Sequence, residues 1–207
     1  MLILAVRPAS VPEMLREVAA FKENVPSVLA VSLAAGIPLK ALRSQLGSPV
    51  LWTRAMPSPV CRIGAGLTAL TYDTNVPQSE RKRAYRFFER VGAVLEIPES
   101  QFDIFTATFS PSHGYHALAA LAKAAQQAGL QAEAALEAAA HALADGILYW
   151  RDAGQDLAEL LQEAATPGGT AAATTAAMNQ AGYKSAVAAG LRAGVKQGRL
   201  NAKGWKA

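Results

Sequence analysis

At 207 residues, 51% hydrophobic, 17% charged and with a net charge of +4, the chain can bury a core of one or two domains. Its single cysteine, Cys61, excludes an intrachain disulfide and fits a reducing cytoplasm, where it reads as a small buried or half-buried apolar side chain. No apolar run nears the roughly 18 residues of a membrane span, and Met1–Val6 is cut off by Arg7-Pro8 too early for a secretory signal, so the expectation is a soluble protein that is not exported.

Met1–Val6 is short and apolar and predicts a strand. From Val11 to Val25, Met14, Val18, Phe21 and Val25 recur at helical spacing, with Ser10 and Glu13 placed as a capping box and Pro26 as the stop. Ser27–Leu33 is β-branched and apolar. Pro38 opens a short helix carrying Leu39, Leu42 and Leu46, and Gly47 ends it. Val50–Met56 and Leu67–Tyr72 read as strands on either side of Pro57, Pro59 and Gly64. Ser79–Val91 follows as a helix with a basic face, then Ala93–Ile97 as a strand. Alternation of this kind predicts an α/β layer with parallel pairing.

From Pro98 onward the pattern is helical alone. Leu118, Leu121, Ala122 and Ala125 mark one apolar face, and Leu136, Ala140, Leu143, Ile147 and Trp150 mark the next. Thr166-Pro167-Gly168-Gly169-Thr170 interrupts the helices, and Thr174 to the C-terminus is helical again, with Met178, Val187, Leu191 and Val195 apolar. Small residues on such stripes let helices approach closely and pair with a copy of themselves. Two regions result: α/β over residues 1–98 and all-α over residues 99–207.

The basicity sits in the tail. No acid occurs from Ala181 onward, and removing the six bases Lys184, Arg192, Lys196, Arg199, Lys203 and Lys206 from +4 leaves −2 upstream. Arg192, Lys196, Arg199, Lys203 and Lys206 fall on one helical stripe, a solvated helix end favoured by the macrodipole. No aromatic interleaving or recognised motif accompanies them, so no nucleic-acid partner is expected.

Four blocks resemble a known family. Ala5-Val6-Arg7-Pro8 resembles the A-V-[KR]-P that ends the fourth strand of pyrroline-5-carboxylate reductases, and Ser32-Leu33-Ala34-Ala35-Gly36-Ile37-Pro38 resembles their S-x-A-A-G-[IV] segment. Arg54-Ala55-Met56-Pro57 with Gly64-Ala65-Gly66 is similar to their R-x-M-P-N-T-P-x-x-x-G-x-G stretch, and Thr166–Thr170 to their S-P-G-G-[TA] turn. All four keep the family's order across essentially the whole chain.

The resemblance implies a partial Rossmann domain followed by an all-α dimerisation domain whose helices interlock in a homodimer. It implies hydride transfer from NADPH or NADH to a small cyclic imine carrying a carboxylate, as in proline biosynthesis. Carried over residue by residue, it places the cofactor against Ala5, Val6, Arg7, Pro8, Ala34, Ala35 and Gly36. It places the substrate against Ser112, Thr166, Pro167, Gly168, Gly169 and Thr170, where backbone amides at a helix start make an anion site.

Departures from the family accompany these matches. The family's G-x-G-x-x-[GA] loop lies some 60 residues before A-V-[KR]-P; here that block begins at Ala5, and tight binding of NADP or NAD by this chain is not expected. Gly64-x-Gly66-x-x-Ala69, with Asp73 nearby, fits the loop's letters but continues as strand. Where the family has T-A-x-S-G-S-G-P-A-Y, this chain has Thr106-Ala107-Thr108-Phe109-Ser110-Pro111-Ser112-His113-Gly114-Tyr115. Ala171 replaces a threonine and Ser58 an asparagine, so a changed pocket is expected. His113 would line that pocket as a candidate proton donor; His113, His116 and His141 make no expected metal site. Three readings stay open: a piece of a longer reductase, inactive alone; a non-catalytic homologue that keeps only the helical dimer; or a chain whose sheet a partner completes, Leu2–Val6 being otherwise an apolar edge strand.

Overall fold

The computed structural model describes residues 1–20 and 27–203. Phe21, Val25, Pro26 and Lys206, which bear on the predicted end of the first helix and on the tail stripe, lie outside the described residues, as does the side chain of Lys203.

Five strands form one sheet in sequence order: β1 (Leu2–Leu4), β2 (Val28–Ser32), β3 (Val50–Pro57), β4 (Gly66–Tyr72) and β5 (Gly92–Glu96). β1 pairs with β2, β2 with β3 and β4 with β5 in parallel. β3 and β4 run antiparallel, Arg54 opposite Thr71 and Met56 opposite Ala69, which departs from the all-parallel expectation. The cause is the connection: Pro59–Ile63 make a single 3-10 turn ending at Gly64 (φ 71°), far too short for a crossover helix. β1 is one edge of the sheet and β5 the other.

Both faces of the sheet are covered. Along β2, Ala30 faces the layer built from α1 (Val11–Ala19) and α2 (Leu39–Gln45), packing with Leu4, Val11, Leu15, Leu42 and Trp52. Leu29 and Val31 point the other way, onto Ala55, Leu70 and the α3 (Gln78–Glu89) residues Ala84 and Phe88. Strands buried on both faces read as continuous apolar runs. The predicted Ser10 cap on α1 is not made, because Ser10 already has helical dihedrals at the end of a 3-10 turn, Pro8–Ser10.

Beyond the sheet the helices are α4 (Glu99–Thr108), α5 (Ser112–Gln127), α6 (Ala132–Ala153), α7 (Leu157–Ala164), α8 (Thr170–Gln180) and α9 (Tyr183–Lys203). The helix predicted from Thr174 to the end is two helices, broken at Gly182 (φ 88°). The chain forms two compact units: residues 1–110 together with those from 189 onward, and residues 111–188. α4 and the last part of α9 thus belong in space with the sheet, although both follow the change of pattern at Pro98. Within the second unit α5 packs along α6. None of the helices among the described residues is long and apolar enough to cross a membrane.

Candidate functional site

In the first unit, β1 and β2 end side by side. Leu4 is paired with Ser32, and Leu33 N–H donates to Leu4 O at 3.0 Å, so the two following turns leave the same rim of the sheet. Ala5 and Arg7 are exposed on this rim and Val6 and Pro8 half-buried; from the second turn Ala35 is half-buried, while Ala34 and Gly36 are buried. The crevice beyond the carboxyl ends of parallel strands is where open α/β sheets hold dinucleotides. The sequence-predicted cofactor residues therefore converge on one rim, with different access to it.

Gly36 is used up by packing. It has φ 79°, and a Cβ there would overlap Gly198 O of α9. A side chain is excluded twice, by backbone conformation and by contact. Nearby, Gly194 of α9 meets the Ala107 methyl of α4. Small residues let these segments approach to backbone contact.

Beneath the rim lies a charge network that the sequence reading did not single out as functional. Arg54 of β3, 2% exposed, donates to Glu99 Oε1 at 3.3 Å and to Asp103 Oδ1 at 3.2 Å, and its guanidinium lies 4.4 Å from the Phe102 ring centroid. Glu99 Oε1 also accepts the N–H of Leu39, first residue of α2, at 2.6 Å. One carboxylate thus joins β3, α4 and the start of α2, closing the Ala34–Pro38 turn from below. Arg54 was visible only as a letter of the R-x-M-P block. A second clamp, Arg43 to both oxygens of Asp73 at 2.5 and 2.7 Å, ties α2 to the end of β4.

Gly64–Ala69 contributes no phosphate loop. Gly66 is the first residue of β4 and hydrogen-bonds to Val91 O, and the segment continues as strand. A phosphate loop needs a helix start there.

In the second unit, Thr166–Thr170 forms a tight turn closed by Gly169 N–H to Thr166 O at 2.9 Å, with Gly168 at φ 79°. Gly169 is the N-cap of α8, and Thr166, Pro167, Gly168 and Thr170 are exposed. Ser112 and His113 are the first two residues of α5, both exposed, with His116 one turn on. Ala171 is exposed in the first turn of α8, and Ser58 is buried at the end of β3. Phe109 ends α4 with its ring 4.8 Å from that of Phe105. No group of three or more His, Cys, Asp or Glu suited to a metal ion occurs among the described residues.

Two titrating groups are displaced. Burial, helped by a 2.8 Å hydrogen bond to the Glu96 carboxylate, pushes the Tyr72 phenol far up. His141 is raised by its hydrogen bond to Asp145 and then by Glu137; it lies in the middle of α6, whereas Ser112 and His113 open α5.

Comparison with known proteins places this geometry. Residues 99–200 match the family model for pyrroline-5-carboxylate reductase dimerisation. The chain is 33% identical over 141 residues to a pyrroline-5-carboxylate reductase of Mycobacterium tuberculosis, covering 64% of this chain and 47% of that one. A Synechocystis enzyme of the same name is 33% identical over 131 residues, covering 62% and 48%. The matched stretch thus spans about half the length of these relatives. Among solved structures, pyrroline carboxylate reductase of Plasmodium falciparum, solved with NADP bound, superposes with TM-score 0.88 at 21% identity, covering 97% of this chain and 80% of that one. The Streptococcus pyogenes 1-pyrroline-5-carboxylate reductase superposes with TM-score 0.85 at 26% identity, covering 96% and 75%. With the Rossmann-like sheet first and the helical region matching the dimerisation model after it, the family match, the relatives and the solved structures together support the pyrroline-5-carboxylate reductase family for this chain.

Proposed function

We propose that this chain carries the imine side of a reductase that passes hydride from NADPH or NADH to a cyclic imine with a carboxylate, of the pyrroline-5-carboxylate type. The observation that carries the reading is the shared rim of β1 and β2, in a chain whose later helices match a dimerisation model. Ala5, Val6, Arg7, Pro8 and Ala35 on that rim would hold the nicotinamide-bearing half of the dinucleotide, while Ala34 and Gly36 shape the turn from beneath. The residues in hand fit that half and not the pyrophosphate, since the one G-x-G-x-x-A match enters β4. The cofactor, when bound, supplies the hydride; the protein's part is to hold the two reactants in line.

For the imine, the exposed amides that open α8 are the anion site. Gly168 and Thr170 present N–H groups at a helix start, where the dipole favours a carboxylate, with Thr166 and Pro167 in the turn that Gly169 N–H closes onto Thr166 O. Ser112, opening α5, adds a hydroxyl, and His113 beside it is our candidate to deliver a proton to the imine nitrogen. Residues 99–207 act as the dimerisation and substrate domain, residues 1–98 as the nucleotide-binding part, in a cytoplasmic homodimer with neither nucleic acid nor membrane as partner.

By themselves the 207 residues should neither bind NADPH measurably in calorimetry nor oxidise it with pyrroline-5-carboxylate. Micromolar NADPH binding would overturn that. The product, proline, should still raise the melting temperature of the chain, and Gly169→Pro should abolish the rise. A second reading, a homologue that keeps the dimer without catalysis, is favoured by the bulky Phe109 and by Ala171 at positions where the family is small or hydroxylated. No thermal shift with proline would decide for it.

A further inference from the structure

The turn that follows β2 is held at three points. Its start is fixed locally: Ser32 Oγ, buried at the end of β2, accepts the N–H of Ala34 at 3.3 Å. Its middle is fixed by α9, where Gly36 reaches backbone contact with Gly198. Its end is fixed by α4, because Glu99 Oε1 accepts the N–H of Leu39 at 2.6 Å. Ala35, half-buried, is left between two buried and anchored neighbours, Ala34 and Gly36.

The third anchor does what the local sequence cannot. A helix start leaves its first N–H groups without partners, and a Ser, Asp or Asn just before it usually accepts one. α2 begins after Pro38, which makes no side-chain cap, and Leu39 is buried, where an unpaired N–H is costly. Glu99 supplies the acceptor from 60 residues away, and the same oxygen accepts from Arg54 at 3.3 Å. Arg54 stands in register with Ser32, and Ser32 with Leu4, so the carboxylate is held at the level where both rim turns leave the sheet. Asp103 accepts from Arg54 Nη2 at 3.2 Å and makes no hydrogen bond to the turn among the described residues.

We propose that Glu99 is a positioning residue for the cofactor: pinned by Arg54, it sets the end of the turn of residues 34–39 and through it the placement of Ala35 against the nicotinamide. This rests on the reading of the rim as the cofactor site and deepens it. Glu99 is the first residue of the stretch that matches the dimerisation model, and Gly198 lies near the other end of that stretch. Both ends of the dimerisation stretch therefore hold one turn of the nucleotide-binding part.

The test titrates the full chain with nicotinamide mononucleotide, the half of the cofactor that the rim would hold, and follows the amide chemical shifts of Ala35 and Gly36. Wild type should bind it weakly, below what calorimetry detects. Glu99→Ala should weaken this binding roughly tenfold, the size of one lost hydrogen bond to a charged group. It should also speed hydrogen exchange at the Leu39 amide. Glu99→Gln keeps an acceptor oxygen and should restore both. Asp103→Ala also takes one acceptor from Arg54 and should lower the urea midpoint likewise, but weaken the mononucleotide far less than Glu99→Ala. Equal losses of affinity from Glu99→Ala and Asp103→Ala, or a Glu99→Gln as weak as Glu99→Ala, overturn the positioning role and leave the rim in place. A wild-type chain whose rim amides do not respond to the mononucleotide overturns the rim reading, and the role of Glu99 falls with it.

Discussion

The two units of this chain bury very different things. The sheet-bearing unit encloses Trp52, Leu29, Ile37, Leu42, Leu46 and Phe102, each below 2% exposed, between layers on both faces. In residues 111–188 the buried hydrophobic residues among those described are Ala122, Ala135 and Ala139. Its large apolar side chains stay in water, with Ile147 at 57%, Tyr149 at 58% and Leu161 at 60% exposed. A surface that carries so many large apolar residues marks an interface, and helices that meet through alanine alone gain little by burial. The first unit is stabilised by its own core; the exposed apolar faces of the second are what the proposed homodimer would cover, in a region that matches a dimerisation model.

That contrast can be broken first in the core. Trp52 is fully buried and donates its indole N–H to Leu46 O at 2.6 Å. Trp52→Ala should cost about 3–5 kcal/mol, read as a lower urea midpoint. The loss should appear in sheet unfolding with the dissociation constant of the dimer little changed. Arg54→Leu comes next. It strands Glu99 and Asp103 and removes the cation packed on Phe102, but both carboxylates are about a third exposed and can rehydrate. We expect about 2–3 kcal/mol, below the value for a fully buried pair. Combining it with Glu99→Gln and Asp103→Asn should return part of that stability; no recovery would mean that the Phe102 packing, not charge, was lost.

In the second unit the same size of change should act on assembly. Ile147→Asp alters an exposed side chain and, in an isolated monomer, should be nearly neutral. If the apolar face of α6 lies in the dimer, it should weaken association by about 2 kcal/mol or more, seen as monomer at micromolar concentration in light scattering. A dimer as tight as wild type would return Ile147 to the ordinary exposed surface.

The contrast was only partly legible in the sequence. Strands β2, β3 and β4 declare themselves as apolar β-branched runs, and α6 by Leu136, Ala140, Leu143 and Ile147, since these patterns are local. Strand direction is not local: nothing within Gly66–Tyr72 says that it runs against β3, and only the short Pro59–Ile63 link carries that information. The rim of the candidate site was legible as motif blocks. Its support was not, because Arg54 finds its partners 45 and 49 residues away, and Gly36 meets a glycine near the other end of the chain. Contacts made across such separations leave single residues of ordinary type in the sequence. Gly36 reads as a turn glycine, which it is, and equally as a cofactor contact; its packing against Gly198 was not legible.

The smallest expected effect separates the stability of α6 from its assembly. His141 is held between Glu137, 3.2 Å from Nε2, and Asp145, 2.8 Å from Nδ1. Both nitrogens can donate at once only in the imidazolium, so the acids raise its pKa above the ordinary value. A raised folded-state pKa favours the folded helix fully below the unfolded value, near 6.5, and the benefit fades as pH rises through the folded value. His141→Gln should therefore lower the melting temperature slightly at pH 5.5 and not at pH 8.5. At about 100° per residue, Glu137, His141 and Asp145 lie on the side of α6 away from Leu136, Leu143 and Ile147. Dimer dissociation should accordingly show no difference between wild type and His141→Gln at either pH. A pH-dependent change in dissociation would put this acidic face in the interface, and the helical unit would then meet its partner through charge as well as through its exposed apolar stripe.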